Sequence, residues 1–167
     1  MSSKIQILDK KSVNHKLSRL AWQVYEHNLV EKEIIIVGIA NRGLRIAKQL
    51  AKNIESISSI KITIGHLKLD KDNPYNKQVS INLEPNDYSD KVVVLCDDVL
   101  SSGKTLMYAA KHFLSTPLSK LSTVVLVDRN HNRYPIKSDY VGLSLATTLK
   151  EYVSVSLSGS EKGVYLS

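Results

Sequence analysis

The most constraining stretch of the chain is Val92-Val93-Val94-Leu95-Cys96, an apolar run that ends on two adjacent carboxylates, Asp97 and Asp98. A strand covered on both faces needs apolar side chains at every position, so this run predicts a central strand of a parallel sheet. Ser101-Ser102-Gly103-Lys104-Thr105 follows as a short turn, and Leu106 to Leu114 reads as the helix beyond it. Ligands of such sheets gather where strands end and helices begin. Small residues let backbone N–H groups face outward there, the helix contributes its positive N-terminus, and Lys104 adds a full charge. These are the makings of a phosphate cradle. It is not a Walker A loop, because that motif needs a glycine five residues before Gly103, where Asp98 stands.

Asp97 and Asp98 would repel a polyphosphate, so they are expected to face another part of the ligand. The vicinal hydroxyls of a ribose donate to carboxylate oxygens and suit them well. Paired acids followed by a phosphate turn thus point to a ligand with both ribose and 5′-phosphate. A pair that merely ends a strand is the less specific alternative. A second strand–turn–helix lies upstream. Residues 33–39 form a β-branched apolar run, Ala40-Asn41-Arg42-Gly43 turns the chain, and Ile46, Ala47, Leu50, Ala51 and Ile54 recur at helical spacing over 44–54. Both turns should therefore meet at one edge of the sheet.

A third segment completes a pattern: Leu126-Val127-Asp128-Arg129, His131, Pro135-Ile136 and Asp139-Tyr140-Val141-Gly142. The three together resemble the phosphoribosyl-diphosphate (PRPP) motif, pyrophosphate loop and base-side segment of type I phosphoribosyltransferases. They are most similar to the pyrimidine-operon attenuators that double as uracil phosphoribosyltransferases. The likeness covers most of the chain from about Val13 onward. It implies one α/β domain over residues 1–167, a central parallel sheet flanked by helices with a small antiparallel flap at about 68–90 and a base-side segment at about 128–145. The implied activity is transfer of phosphoribosyl from PRPP to a nucleobase, with Mg²⁺ and release of diphosphate. Carried over residue by residue, Asp97, Asp98 and Arg42 are catalytic, and the two aspartates meet the metal indirectly, through ribose or water. Ser101, Ser102, Gly103, Lys104 and Thr105 hold the 5′-phosphate. Ala40, Asn41, Arg42 and Gly43 hold the diphosphate, with backbone strain near Ala40-Asn41. Lys68, Lys71, Tyr75 and Lys77 belong to the flexible loop, and Asp128, Arg129, His131 and Val141 to the base side. A homodimer is implied as well.

The sequence also departs from that pattern. The flexible loop of the family usually carries arginine, whereas residues 68–77 offer only lysines. Purine enzymes commonly have a third aspartate where Ser101 stands, so a pyrimidine, uracil, is favoured. The glycine of the family's Asp-Arg-Gly-His is Asn130, and a lysine after Val141-Gly142 is Leu143. Attenuators bind messenger RNA through the first helix and the base-side loop. Ser18, Arg19, His131 and Lys137 keep that character, while Trp22, Asn132 and Thr147-Thr148-Leu149 do not. A nucleotide-sensing RNA-binding regulator with weak or no catalysis is thus the alternative, and a nucleotide-binding fold without turnover is a third.

Charge and composition sharpen this reading. The 23 Lys and Arg against 16 Asp and Glu give +7, which favours anionic ligands without choosing between small phosphates and nucleic acid. One cysteine, Cys96, excludes an internal disulfide framework and fits burial as a small apolar residue better than nucleophilic work. No apolar run approaches membrane-spanning length and Met1-Ser2-Ser3-Lys4 opens no signal core, so a cytoplasmic protein off the membrane is expected. The remaining elements are a helix over 13–28 capped by Ser12, strands at 60–69 and 79–83 forming the flap, and strands at 121–127, 140–143, 152–157 and 163–166. His131 lacks a visible carboxylate partner and is expected to be solvated rather than catalytic.

Overall fold

The computed structural model describes residues 4–167. In chain order its elements are β1 (Ile5–Leu8), α1 (Lys10–Glu26), β2 (Glu33–Ile39), α2 (Ala40–Ile57), β3 (Lys61–Lys68), β4 (Ser80–Ile81), α3 (Pro85–Tyr88), β5 (Val92–Leu100), α4 (Lys104–Phe113), β6 (Lys120–Asp128), β7 (Tyr140–Ser144), β8 (Val153–Ser156) and β9 (Gly163–Leu166). Six strands form the main sheet in the order β4-β3-β2-β5-β6-β7. All its pairings are parallel except β3 with β4, which run antiparallel as the root of the flap. A separate antiparallel sheet, β1-β9-β8, joins the two ends of the described chain.

Side chains alternate across the strands and build a core on each face. Ile34, Ile36, Val92, Val94 and Cys96 pack with Leu17 and Leu20 of α1 and Ile46 and Leu50 of α2. Ile35, Val37, Val93 and Leu95 pack the other way, against Leu106, Ala109 and Phe113 of α4. Both faces of these two strands are thus covered, and only Glu33 and Val99 are partly exposed, as the unbroken apolar runs require.

Several boundaries differ from the sequence expectation. Helix α1 starts at Lys10 and is capped by Asp9, whose carboxylate accepts from the Ser12 N–H at 2.8 Å; Ser12 is the donor rather than the cap. Helix α2 starts at Ala40, directly on the end of β2, so the expected four-residue turn is the first turn of the helix. Strand β5 runs on through both aspartates to Leu100, because its backbone ladder continues with Asp97 opposite Val125 and Leu100 opposite Asp128. Within residues 68–90, Pro85–Tyr88 is a short helix whose Tyr88 is buried edge-on against Phe113. Strand β1 was not foreseen.

After β2 the chain crosses through α2 to β3 on one side, then returns to lay β5 along the other side of β2. The strand order therefore reverses between β2 and β5, and a crevice opens at their C-terminal ends.

Candidate active site

Asp97 and Asp98 sit at that crevice, and each residue is only 3% exposed. The Asp98 N–H donates to Asp97 Oδ1 at 2.9 Å. Lys71, from the flap, donates its ammonium to Asp97 Oδ1 at 2.9 Å and stands 3.6 Å from Asp98 Oδ1. Arg42 Nη1 lies 3.5 Å from Asp98 Oδ2, with more than half of its side chain exposed. Burial pushes the Asp97 carboxyl up to about 7, against the pull of Lys71 and with a further push from Asp98. Burial pulls the Lys71 ammonium down, but Asp97 and Asp98 outweigh it and the net displacement is upward.

The turn after β5 is held open by one glycine. Gly103 is the N-cap of α4 with φ +86°, and a Cβ there would meet Ile136 Cγ2 at 2.8 Å. A side-chain-bearing residue would be strained there and crowded as well. Ser102 Oγ accepts from the Lys104 N–H at 3.2 Å, while the Lys104 ammonium donates to the Asp72 carbonyl at 2.8 Å. A cleft of about 70 Å³ lies over this turn, lined by Asp97, Val99, Ser101, Ser102, Gly103 and Thr105 among others. Asp97 and the turn thus open on one space.

Across the crevice, α2 begins with Ala40 at φ +53°, the left-handed region that a residue with a Cβ enters at a cost. That is where strain resides in this turn. Asn41 and Arg42 are exposed, whereas Gly43 is buried against β5. A Cβ on Gly43 would come within 2.4 Å of the Cys96 carbonyl oxygen, so glycine is what lets α2 approach the strand carrying the acids.

The base-side residues have other engagements. Asp128, nearly buried, accepts from the Asn130 N–H at 2.8 Å. Arg129 donates from Nε to Thr147 Oγ1 at 3.1 Å and from Nη2 to the Glu151 carbonyl at 2.6 Å, which fastens residues 147–151. His131 Nε2 contacts the Thr147 carbonyl, so it is tied to that segment rather than solvated. Val141 packs beside Ile136 at the α4-side core, and its carbonyl accepts from Arg19 Nη2 at 3.1 Å. The flap residues divide. Lys71 reaches the acids, whereas Tyr75 and Lys77 line a separate groove against α4 with Tyr108 and Lys111, and Lys68 is exposed at the end of β3.

Comparison with known proteins agrees with this geometry. The phosphoribosyl transferase domain family matches residues 4–157. Proteins called bifunctional protein PyrR align over nearly the whole chain. That of Bacillus pumilus is 34% identical over 94% of this chain and 92% of its own, and that of Alkaliphilus metalliredigens is 35% identical over 97% and 93%. The chain belongs to the phosphoribosyltransferases, in the PyrR family. Among solved structures, a hypoxanthine-guanine phosphoribosyltransferase of Bacillus anthracis matches with TM-score 0.72 at 21% identity over 84% of this chain and 81% of that one. A hypoxanthine phosphoribosyltransferase of Trypanosoma cruzi gives 0.73 at 14% over 86% and 78%. At that identity they show the type I phosphoribosyltransferase fold alone.

Two features of this phosphoribosyltransferase site escaped the sequence. The Ser102 carbonyl accepts from both the Arg133 and the Tyr134 N–H, at 2.8 and 3.0 Å, so the turn and the base-side loop are bonded backbone to backbone. No side-chain pattern announces a bond of that kind. The second is the flap's tip, where Asp70 Oδ1 accepts from the Asp72 and Asn73 N–H groups, a turn whose one signal is the aspartate at its start.

Proposed function

We propose that this phosphoribosyltransferase moves the phosphoribosyl group of PRPP to a nucleobase, uracil by preference, with the residues of the β2–β5 crevice as its machinery. The carrying observation is that the buried Asp97-Asp98 pair, the Ser101–Thr105 turn and the Ala40–Gly43 turn all meet at one switch point. Backbone N–H groups at the start of α4 and the Ser101, Ser102 and Thr105 hydroxyls take the 5′-phosphate. Asp97 and Asp98 accept from the ribose hydroxyls and offset positive charge growing on the ring as its bond to diphosphate breaks. Arg42 and the N–H groups of the α2 turn face the departing diphosphate. Val141 and Ile136 offer an apolar wall for a flat base beside the Asp128 loop.

No group of three or more His, Cys, Asp or Glu side chains forms a metal cage among the described residues. Two adjacent hard carboxylates fit the alternative, Mg²⁺ that arrives on the substrate's own oxygens, with Asp97 and Asp98 holding it through ribose or water. When bound, Mg²⁺ supplies charge neutralisation to the leaving diphosphate. Ser101, in place of an aspartate, supports a pyrimidine base.

The test is nucleotide formation from PRPP and Mg²⁺ with uracil, hypoxanthine, guanine and adenine supplied separately. Uracil-dependent product that disappears in the Asp97→Asn/Asp98→Asn double variant is expected. Product with a purine alone would overturn the base, and none with any base would overturn turnover.

A regulatory reading is supported by the +7 charge and by relatives named as bifunctional. Exposed Ser18 and Lys137 remain available to a polyanion, whereas Arg19 donates to the Val141 and Gly142 carbonyls and His131 contacts Thr147. Binding to a pyrimidine leader RNA at two salt concentrations tests it, and genuine phosphate contacts should weaken steeply as salt rises. A homodimer and a cytoplasmic location are part of the same proposal; no described helix is long and apolar enough to cross a membrane.

A further inference from the structure

The flap is fastened to the site at two points, one by its own Lys71 ammonium and one by the Lys104 ammonium of the turn after β5. Lys71 Nζ lies between the two carboxylates, at 2.9 Å from Asp97 and 3.6 Å from Asp98. One residue on, the Asp72 carbonyl accepts from the Lys104 ammonium of the phosphate turn at 2.8 Å. The Asp70 carboxylate caps the N–H groups of Asp72 and Asn73 and sets the tip's shape, so the two fastenings come from one rigid turn. The aspartate side chains are only 4% and 5% exposed, with Lys71 against Asp97 Oδ1 and Asp98 Oδ1 and Arg42 at the other Asp98 oxygen.

We infer that Lys71 is a resident surrogate cation, which holds the ribose-and-metal position beside Asp97 and Asp98 and must leave before Mg²⁺-PRPP can occupy it. This rests on the phosphoribosyl reading of the crevice and adds a competition to it. Two carboxylates this close favour a cation between them, and an ammonium on a tethered loop meets that need at high effective concentration. A divalent ion that brings its own ribose and phosphate oxygens offers more charge and more ligands, and displaces it. The Lys71 side chain is 38% exposed and has water to go to. Its departure also loosens the tip, so Lys104 is freed to face the 5′-phosphate in the same event. Substrate entry and flap release are then one step, which explains how an arginine-free flap can act: its lysine keeps the acids neutralised until the donor arrives. A purely structural Lys71 would neutralise the acids without competing with anything.

The test compares wild type with Lys71→Met, which removes the charge, and Lys71→Arg, which keeps it. Two readouts are taken: PRPP binding by calorimetry across a Mg²⁺ series, and hydrogen exchange of residues 70–76 in ligand-free protein. The Met variant should reach half-maximal PRPP binding at roughly two- to fivefold lower Mg²⁺, the scale of a partly exposed ion pair. Its flap tip should exchange faster, and the Arg variant should stay close to wild type in both. Equal Mg²⁺ dependence in wild type and Lys71→Met, or unchanged exchange at the tip, overturns the latch while PRPP binding keeps the phosphoribosyl reading. Absence of PRPP binding in all three proteins overturns that reading, and the latch with it.

Discussion

Asp97 illustrates how a single carboxyl can make a molecule's stability depend on pH against the usual direction. In the unfolded chain it titrates near 3.9, whereas burial raises it to about 7 in the folded protein. Below pH 4 both states hold the proton. As pH climbs from 4 through 7 the unfolded state releases it first, so Asp97 withdraws stability over that window, by at most about 4 kcal/mol. Asp97→Asn should therefore raise the unfolding midpoint little at pH 4.5 and increasingly at pH 6 and 7.5, as measured by urea denaturation. Asn130 makes a different point. It has φ +57°, in the left-handed region that glycine enters without strain. Asparagine tolerates that conformation, and its Nδ2 adds a 2.8 Å bond to Ser144 Oγ. Asn130→Gly should change the melting temperature by little, whereas Asn130→Val should cost about 1–2 kcal/mol.

At the scale of elements, the approach of α2 to β5 depends on Gly43. Gly43→Ala would drive a methyl into the Cys96 carbonyl 2.4 Å away and push the helix off the strand that carries the acids. A loss of about 1–3 kcal/mol in unfolding free energy is expected, together with weaker PRPP binding, since the Ala40–Gly43 turn proposed to face the diphosphate moves with the helix. The element pattern was legible where each residue answers to its own burial. The continuous runs of β2, β5 and β6 and the helical stripes of α1 and α2 predicted the layers, and the two turns predicted the one sheet edge at which both lie. What was illegible depended on partners distant in the chain. Strand β1 is four residues whose ladder lies with β9, Ile5 opposite Leu166. Strand β5 continues through Asp97 and Asp98 because a backbone ladder with β6 is indifferent to side-chain charge. Arg129 and His131 read as site residues by pattern, yet their atoms hold residues 147–151, a pairing that only the fold creates.

For the whole molecule, the two cores meet at the central strands, and the crevice lies where those strands end. The C-terminal sheet closes the chain on itself by pairing β1 with β9, so the described ends are mutually supporting. Cys96 stands in β5 directly before the acids, with no exposure and with burial raising its thiol pKa far above the ordinary range. Reagents that attack thiolates reach it only when the central sheet parts. The protein thus carries a built-in clock for its own opening. The rate of Cys96 modification by a disulfide reagent should follow the population of the opened form. It should slow about a hundredfold when PRPP and Mg²⁺ are present at one hundred times their dissociation constant. One thiol then reports ligand binding without any turnover.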